Sequence, residues 1–436
     1  MKNNYSTPAL VFAHSLPTLL LLAILAVGPV AAAQGVHYNL IYKFTGASTS
    51  GLISDSAGNF YGEDESGKTG SSCSGGCGTV FELSPAASGG WKRTVLYEFT
   101  GGNDGRNPSG GLVFDTSGNL YGTAQDGGVY GSGVVFELSP SSGGGWTEST
   151  LYSFTGGSDG GFPTAGVTLD NAGNIFGITE GGGLASGVVF ELSPASGGWN
   201  ESVLHSFTYG SDGAYPQGGV TFDAAGNLYG TAQKGGKEPC VVTTDGCGVV
   251  FELVKNSSGT WDFSVIFAFG GSNGAGPWGQ LIVDQSGNLY GTTTVGGKLS
   301  GCYNVGCGVV FELSHSGGGW SETLLHVFQP GSSVDSFGLA GGDPSAGLTF
   351  DSKGNLYGTA DYGGSLTYGV VFRLSPASPQ WKETVVWNFT GTTGGQTPLF
   401  GVALNAAGDV FGTTYYGGND SACRGSGCGV LFEIKP

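Results

Sequence analysis

The stretch that decides the fold runs from residue 111 to residue 154: GLVFD (Gly111–Asp115), NLYGTA (Asn119–Ala124), GVVFELS (Gly133–Ser139) and WTESTLYSF (Trp146–Phe154). These four short segments are rich in β-branched and aromatic residues. Clusters of Gly, Pro, Asn and Ser separate them, which is the pattern of strands joined by tight connections. None of them spaces its apolar residues as a helix would. The same four segments recur along the chain. Aligned on D-x-x-G-N-[LI]-[YF]-G, the recurring glycines are Gly58, Gly118, Gly173, Gly226, Gly287, Gly354 and Gly408, at spacings of 60, 55, 53, 61, 67 and 54 residues. Seven units result. A unit of this length holding four short strands is one propeller blade, a sheet that cannot bury both faces until neighbours stack on it.

The ends of the chain fit a ring. The last copy finishes at GVLFEI (Gly429–Ile434) without a fourth strand, while YNLIYKF (Tyr38–Phe44) near the start matches that missing strand. Pairing the two would close the sheet and remove edges that otherwise invite aggregation. The expected fold class is therefore all-β, a seven-bladed β-propeller of four-stranded antiparallel blades. The blades fall at about 51–99, 110–154, 164–207, 217–269, 278–328, 346–389 and 400–434 plus 37–44, within one domain over 34–436. By analogy with other propellers, GLVFD would be the innermost strand and the Trp-led segment the outermost. The T-G-G-S-D-G-x-x-P connections and the loops before each G-V-V-F-E-L strand then share one face, opposite the D-x-x-G-N turns.

Composition bounds the function. Glycine supplies 87 of 436 residues without a G-X-Y period, which excludes collagen, and 39% hydrophobic residues leave ample material for a core. With 33 Asp+Glu against 15 Lys+Arg the net charge is −18, and no basic run is present. Phosphate-neutralising contact with nucleic acid or an anionic membrane surface is not expected. The N-terminus reads as an export signal: Lys2, an apolar run from Leu19 to Val27, and Ala31-Ala32-Ala33 before Gln34, with cleavage expected after Ala33. That run is too short to cross about 30 Å of hydrocarbon as a helix. A soluble exported protein, periplasmic or secreted and acting as a monomer without membrane insertion, is the expectation.

N-L-Y-G-T followed by G-G, then G-V-V-F-E-L-S-P, then W-x-E-x-x-L-Y-x-F-T-G-G-x-D-G resembles the bacterial GloVer tandem-repeat family across essentially the whole chain after the signal. The resemblance implies a surface or secreted repeat protein. The family's exported members carry C-terminal sorting anchors, whereas no hydrophobic tail with a basic stop follows Phe432 here, so release is expected over anchoring. It brings no catalytic residues to carry over.

All eight cysteines fall in close pairs: Cys73 with Cys77, Cys240 with Cys247, Cys302 with Cys307, and Cys423 with Cys428. In each pair the second cysteine directly precedes the glycine that opens the G-V-V-F-E-L strand. Paired cysteines in an exported chain read as local disulfides. Each blade offers only two cysteines and no nearby histidine, so no zinc site is expected. The repeated Asp from Asp55 to Asp351 reads as a turn residue bonding the backbone two positions on, since one Asp per loop is too few for calcium. Asp104, Asp159 and Asp212 receive the same turn reading. No metal or cofactor is expected.

Histidine offers no obvious general base. His14 lies in the signal, His37 begins the closing strand, His205 and His326 sit on outer strands, and His315 lies on the opposite face. Function is sought where the loop face breaks the repeat. Blade one has Glu63-Asp64-Glu65 in place of T-A-Q or T-T-T, blade three has Glu180, and blade six has Asp361 with Tyr362. The connection into blade six runs 16 residues from Phe328 to Pro344 and carries Asp335, Phe337 and Asp343. Aromatics cluster in the same loops: Tyr130, Phe162, Tyr215, Trp278, Tyr303, Tyr368, Phe400, Tyr415 and Tyr416. Such rings among hydroxyls and carboxylates suit sugars, though packing between blades would also explain them. The favoured expectation is a non-catalytic binding propeller whose ligand is a polysaccharide, with Asp335, Phe337, Tyr362 and Tyr415 as contacts. Two alternatives stand beside it. One is a carbohydrate-active hydrolase or lyase using Glu63 or Asp64 with Asp361; the other is a purely structural or protein-interaction role with a surface protein as partner.

Overall fold

The computed structural model describes residues 35–44, 50–65, 73, 76–236, 240–300, 302–329, 341–378, 380–418 and 427–436. The expected signal and cleavage site, Asp335, Phe337 and Cys423 lie outside the described residues. The chain forms seven antiparallel sheets arranged as a ring of blades. Blade two is representative: Val113–Phe114, Leu120–Asp126, Val134–Ser141 and Gly145–Ser153 pair in that order from the inside outwards. The innermost strand is only two residues long in most blades, shorter than the five-residue reading of GLVFD. Blade four is the exception, with an inner strand over Ala214–Phe222. The one helical element among the described residues is the 3₁₀ turn Thr392–Gly394. No helix among them is long and apolar enough to cross a membrane.

The sequence G-V-V-F-E-L explains how blades stack. Successive strand residues point to opposite faces, so Val134, Phe136 and Leu138 meet Tyr61, Val80 and Phe99 of blade one, while Val135 meets Val167 and Phe190 of blade three. The buried apolar residues fall into seven clusters, each shared by two adjacent blades. One of them joins Leu52, Phe60 and Phe81 of blade one to Phe411 and Leu431 of blade seven. Blade seven is made of both chain ends: His37–Lys43 pairs with Val430–Lys435, His37 opposite Lys435 and Lys43 opposite Val430.

The glycine of N-L-Y-G-T is dictated by its cross-strand partner. Gly122 lies opposite Phe136 and Gly230 opposite Phe251, and a Cβ added at Gly230 would stand 2.4 Å from the Phe251 ring. Each blade lays its Phe over this glycine. The repeated turn is equally specified. The Asp115 Oδ1 accepts from the Ser117 and Asn119 N–H groups, and Oδ2 accepts from Asn119 Nδ2 and the Tyr121 hydroxyl. That extends the turn reading, because the bond two residues on is only one of four. In blade seven the two residues are exchanged: Asn405 Oδ1 accepts from the Ala407 and Asp409 N–H groups while its Nδ2 donates to Asp409. Asp104 closes the other connection, accepting from Thr100 N–H and Oγ1 and from the Tyr97 hydroxyl.

Candidate functional site

The loop face is organised by a residue that the repeat places just before proline. Asn107, Phe162, Tyr215, Gly276, Asp343 and Thr397 all precede a proline and have φ of 57, 59, 53, 63, 57 and 56°. Five of the six are not glycine, and left-handed backbone costs such residues about 1–3 kcal/mol each, a strain that tends to collect at functional sites. Their N–H groups hold the conformation by donating to the preceding blade: Asn107 to Cys77 O, Phe162 to Ser132 O, Tyr215 to Ser186 O, Gly276 to Cys247 O, Asp343 to Cys307 O and Thr397 to Tyr368 O. The following proline seats on that blade's glycine; a Cβ at Gly133 would meet Pro163 Cδ at 2.5 Å.

The disulfides act at these same carbonyls. Cys73–Cys77, Cys240–Cys247 and Cys302–Cys307 are formed, with Cα atoms 5.3, 5.2 and 5.3 Å apart. Each fixes the carbonyl that receives the next blade's pre-proline N–H. Cys428 is fully buried, and Cys423 lies outside the described residues. The cysteine slot is thus a blade-to-blade joint, held by a disulfide in some blades and by Ser132, Ser186 or Tyr368 in others.

Aromatic side chains stand out from this framework. Tyr303 and Tyr130 are 63% and 61% exposed, and Phe162, Trp278, Tyr362, Tyr368 and Tyr416 are also exposed. Tyr215, Phe400 and Tyr415 are half-buried. Tyr415 meets Tyr416 edge to face at 4.6 Å, while Tyr215 meets Tyr209 at 5.7 Å and the Lys234 ammonium at 5.2 Å. Tyr209 is an exposed loop aromatic that the sequence reading missed. It occupies the slot held by Gly101, Gly156 and Gly391, keeps φ at 64° and is exposed. The readable signal was a T-Y-G-S-D-G where the repeat writes T-G-G-S-D-G.

The acids sit differently from their expected loop placement. Glu63 and Asp64 end the second strand of blade one, Phe60–Asp64, paired opposite Val80 and Thr79. Both are buried. Glu63 takes the slot of Thr123, Thr292, Thr359 and Thr413, whose hydroxyls donate to a backbone carbonyl just ahead of the next blade's inner strand. Its Oε2 accepts from the Gly111 N–H at 2.8 Å, and burial pushes its pKa up to about 7 against that bond. Asp64 faces Arg93 Nη2 at 3.4 Å, and that guanidinium lies 4.5 Å from the Phe81 ring centroid and 4.9 Å from that of Tyr42. The arginine ties blade one to the N-terminal strand. Asp361 is in blade six, with blade seven between it and Glu63. The structure brings Asp361 together with Asp343 instead: the Asp361 N–H donates to Asp343 O, and the Ser345 hydroxyl donates to the Asp361 carboxylate at 2.9–3.0 Å. Burial lifts Asp343 to about 6, and burial followed by repulsion from Asp343 lifts Asp361 well above the ordinary carboxylate range. Glu65 is raised by burial and then by Asp126. Burial first, and then repulsion from Asp343 and Asp361, raises the Tyr362 hydroxyl above its ordinary range.

The histidines take structural places. The His205 ring stacks on Phe263 at 3.6 Å and bonds Asp212 at 3.1 Å, while burial holds His326 down to about 4. Among the described residues no group of three His, Cys, Asp or Glu side chains is placed to hold a metal ion.

Comparison with known proteins adds the family. Three solved structures are similar to the chain at low identity. An unconfirmed 6-phosphogluconolactonase from Bacteroides uniformis matches at 14% identity and TM-score 0.49, covering 76% of this chain and 84% of that one. A luciferin-regenerating enzyme matches at 12% and 0.44, covering 76% and 91%, and an unconfirmed oxidoreductase (glucose dehydrogenase) from Thermus thermophilus at 12% and 0.40, covering 92% and 100%. At these values none carries an argument about function. No curated protein sequence matches the chain. The profile of the Gloeobacter/Verrucomicrobia repeat matches residues 30–244 and again 242–436, together essentially the whole chain. The chain belongs to the Gloeobacter/Verrucomicrobia repeat family.

Proposed function

We propose that the protein is an exported binding propeller whose loop face takes a neutral polysaccharide without cleaving it. The observation that carries this reading is the exposure of Tyr130, Phe162, Tyr209, Trp278, Tyr303, Tyr362, Tyr368 and Tyr416 on connections held rigid by the blade-to-blade joints. Rigid aromatic planes beside hydroxyls and carboxylates match the C–H faces and hydroxyls of sugar rings. Tyr362 and Tyr415 are the contacts we favour among the described residues, and Asp335 and Phe337 remain expected contacts. The disulfides accord with export into the periplasm or medium, where the protein acts as a monomer.

The test is incubation with a panel of insoluble and soluble polysaccharides, reading both retention and released sugars. Retention without release is expected, with retention lost on Tyr362→Ala and Tyr415→Ala. Unchanged retention in those variants counts against the reading. One observation favours a second reading, hydrolysis or elimination by a buried acid: the raised Asp343 and Asp361 carboxyls of blade six, or that of Glu63 in blade one, are of a kind that general acids use. Released sugar that disappears with Asp361→Asn or Glu63→Gln would move the account to catalysis.

A further inference from the structure

Blade four gathers four departures from the repeat at one corner of the loop face: Tyr209, Tyr215, Lys234 and Asp245. Tyr209 stands where Gly101, Gly156 and Gly391 stand, and Lys234 takes the slot of Asp126, Gly181, Val295, Tyr362 and Tyr416. The backbone holds the four together. Gly235 and Gly236, which follow Lys234, donate to Asp245 O at 2.7 Å and to Gly210 O at 2.9 Å. The Tyr209 turn and the Asp245 loop therefore meet at the end of the strand Leu228–Lys234. Asp245 lies inside the short loop closed by Cys240 and Cys247. Tyr209 and Tyr215 have φ of 64 and 53°, a conformation that bulky side chains seldom take. A tyrosine kept where glycine would sit without strain points to a use for the ring.

The side chains of this corner face solvent. The two rings meet at right angles with centroids 5.7 Å apart, and Lys234 Nζ stands 5.2 Å from the Tyr215 centroid. Tyr215 is half-buried, whereas Tyr209 is 41% exposed. Lys234 Nζ donates to Asp245 Oδ2 at 3.0 Å, and the Thr244 hydroxyl donates to Asp245 Oδ1 at 3.2 Å. Both members of the ion pair stay partly exposed. Such a pair adds little to stability. It does set a donor and an acceptor side by side, and an ammonium with three protons and a carboxylate with about four lone-pair sites both have capacity to spare. Adjacent hydroxyls on a sugar ring present the complementary arrangement. Asp245 neutralises Lys234, and the chain carries a net charge of −18, so an anionic sugar gains nothing here.

We propose that this corner of blade four is a subsite for one neutral sugar unit of the polysaccharide, its C–H face on the Tyr209 ring and two adjacent hydroxyls on the Lys234–Asp245 pair. The proposal rests on the proposed function and deepens it, because it names the class of sugar and the residues that select it. The test measures binding isotherms of the full chain on the polysaccharides that it retains, together with thermal unfolding. Tyr209→Gly restores the residue of the neighbouring blades, so it should hold or raise the melting temperature while weakening binding about 3- to 10-fold. Tyr209→Phe keeps the ring and should bind within about twofold of the unmodified chain. Lys234→Met keeps an apolar stem beside Tyr215, removes the donor and should weaken binding about 3- to 10-fold. Unchanged affinity in both Tyr209→Gly and Lys234→Met overturns the subsite; if Tyr362→Ala still abolishes retention, the loop-face reading stands without it. Retention confined to uronate-bearing or sulfated polymers overturns the assignment to a neutral sugar. Retention of no polysaccharide by the unmodified chain removes the subsite and the loop-face reading together.

Discussion

Glu63 shows how one side chain can make a repeat protein sensitive to pH. Other blades place threonine in its slot, and the hydroxyl there closes a bond to the next blade. The carboxyl is fully buried with its pKa lifted from 4.5 to about 7, so the folded state holds the proton more tightly than the unfolded one. Its contribution is therefore present below about pH 4.5 and is lost as pH rises to about 7, the reverse of a salt-bridged carboxylate. Glu63→Thr is expected to stabilise the protein at pH 8 by up to ~3 kcal/mol and to flatten the fall in melting temperature between pH 5 and pH 8. Thermal unfolding across that range checks it; an unchanged slope would show that Glu63 is ionised in the fold. Gly230 gives a second prediction at this scale. Because a Cβ there would stand 2.4 Å from the Phe251 ring, Gly230→Ala should cost roughly 1–3 kcal/mol by overpacking, read as a lower denaturation midpoint.

Among the elements, the turn offers a cleaner test than any strand. Blade three uses Asp170 with Asn174 and has Phe176 where most blades have tyrosine, so no hydroxyl complicates the exchange. Asp170→Asn alone sets two amide donors against each other and should cost about 1–2 kcal/mol. Adding Asn174→Asp recreates the arrangement of Asn405 and Asp409 and should recover most of that loss. A double-mutant cycle measures the coupling, and additive losses would contradict the reciprocal bonding. The cysteine loops make a parallel case. Replacing Cys240 and Cys247 together by serine should remove about 2 kcal/mol of loop constraint and loosen the Cys247 carbonyl that receives the Gly276 N–H. Faster exchange of that amide is the specific readout.

The closed arrangement of the molecule was legible because the repeat is split between its ends: Tyr38–Phe44 completes what Gly429–Ile434 lacks, and the strands pair in that register. Blade number followed from the spacing of the repeated segments, whereas the strand order within a blade came by analogy with other propellers. The site was less legible for a physical reason. A residue's place in a motif does not reveal which way the backbone turns: the proline recurs, but the left-handed residue before it varies from Asn107 to Phe162 to Asp343, and the pairing of Asp343 with Asp361 occurs in one blade. Glu63 and Asp64 looked like loop acids because they broke a motif, whereas the strand simply continues through them. At this scale Tyr38 joins blades: it stacks on Trp387 of blade six at 4.7 Å and donates to Gly394 O. Tyr38→Ala is expected to lower the melting temperature and to open the 37–43 segment to protease. The central claim is that the loop face binds glycan, and hydrogen–deuterium exchange with and without a retained polysaccharide tests it most directly. The account predicts protection at residues 127–133, 209–215 and 362–368; protection confined to the D-x-x-G-N turns on the opposite face would contradict it.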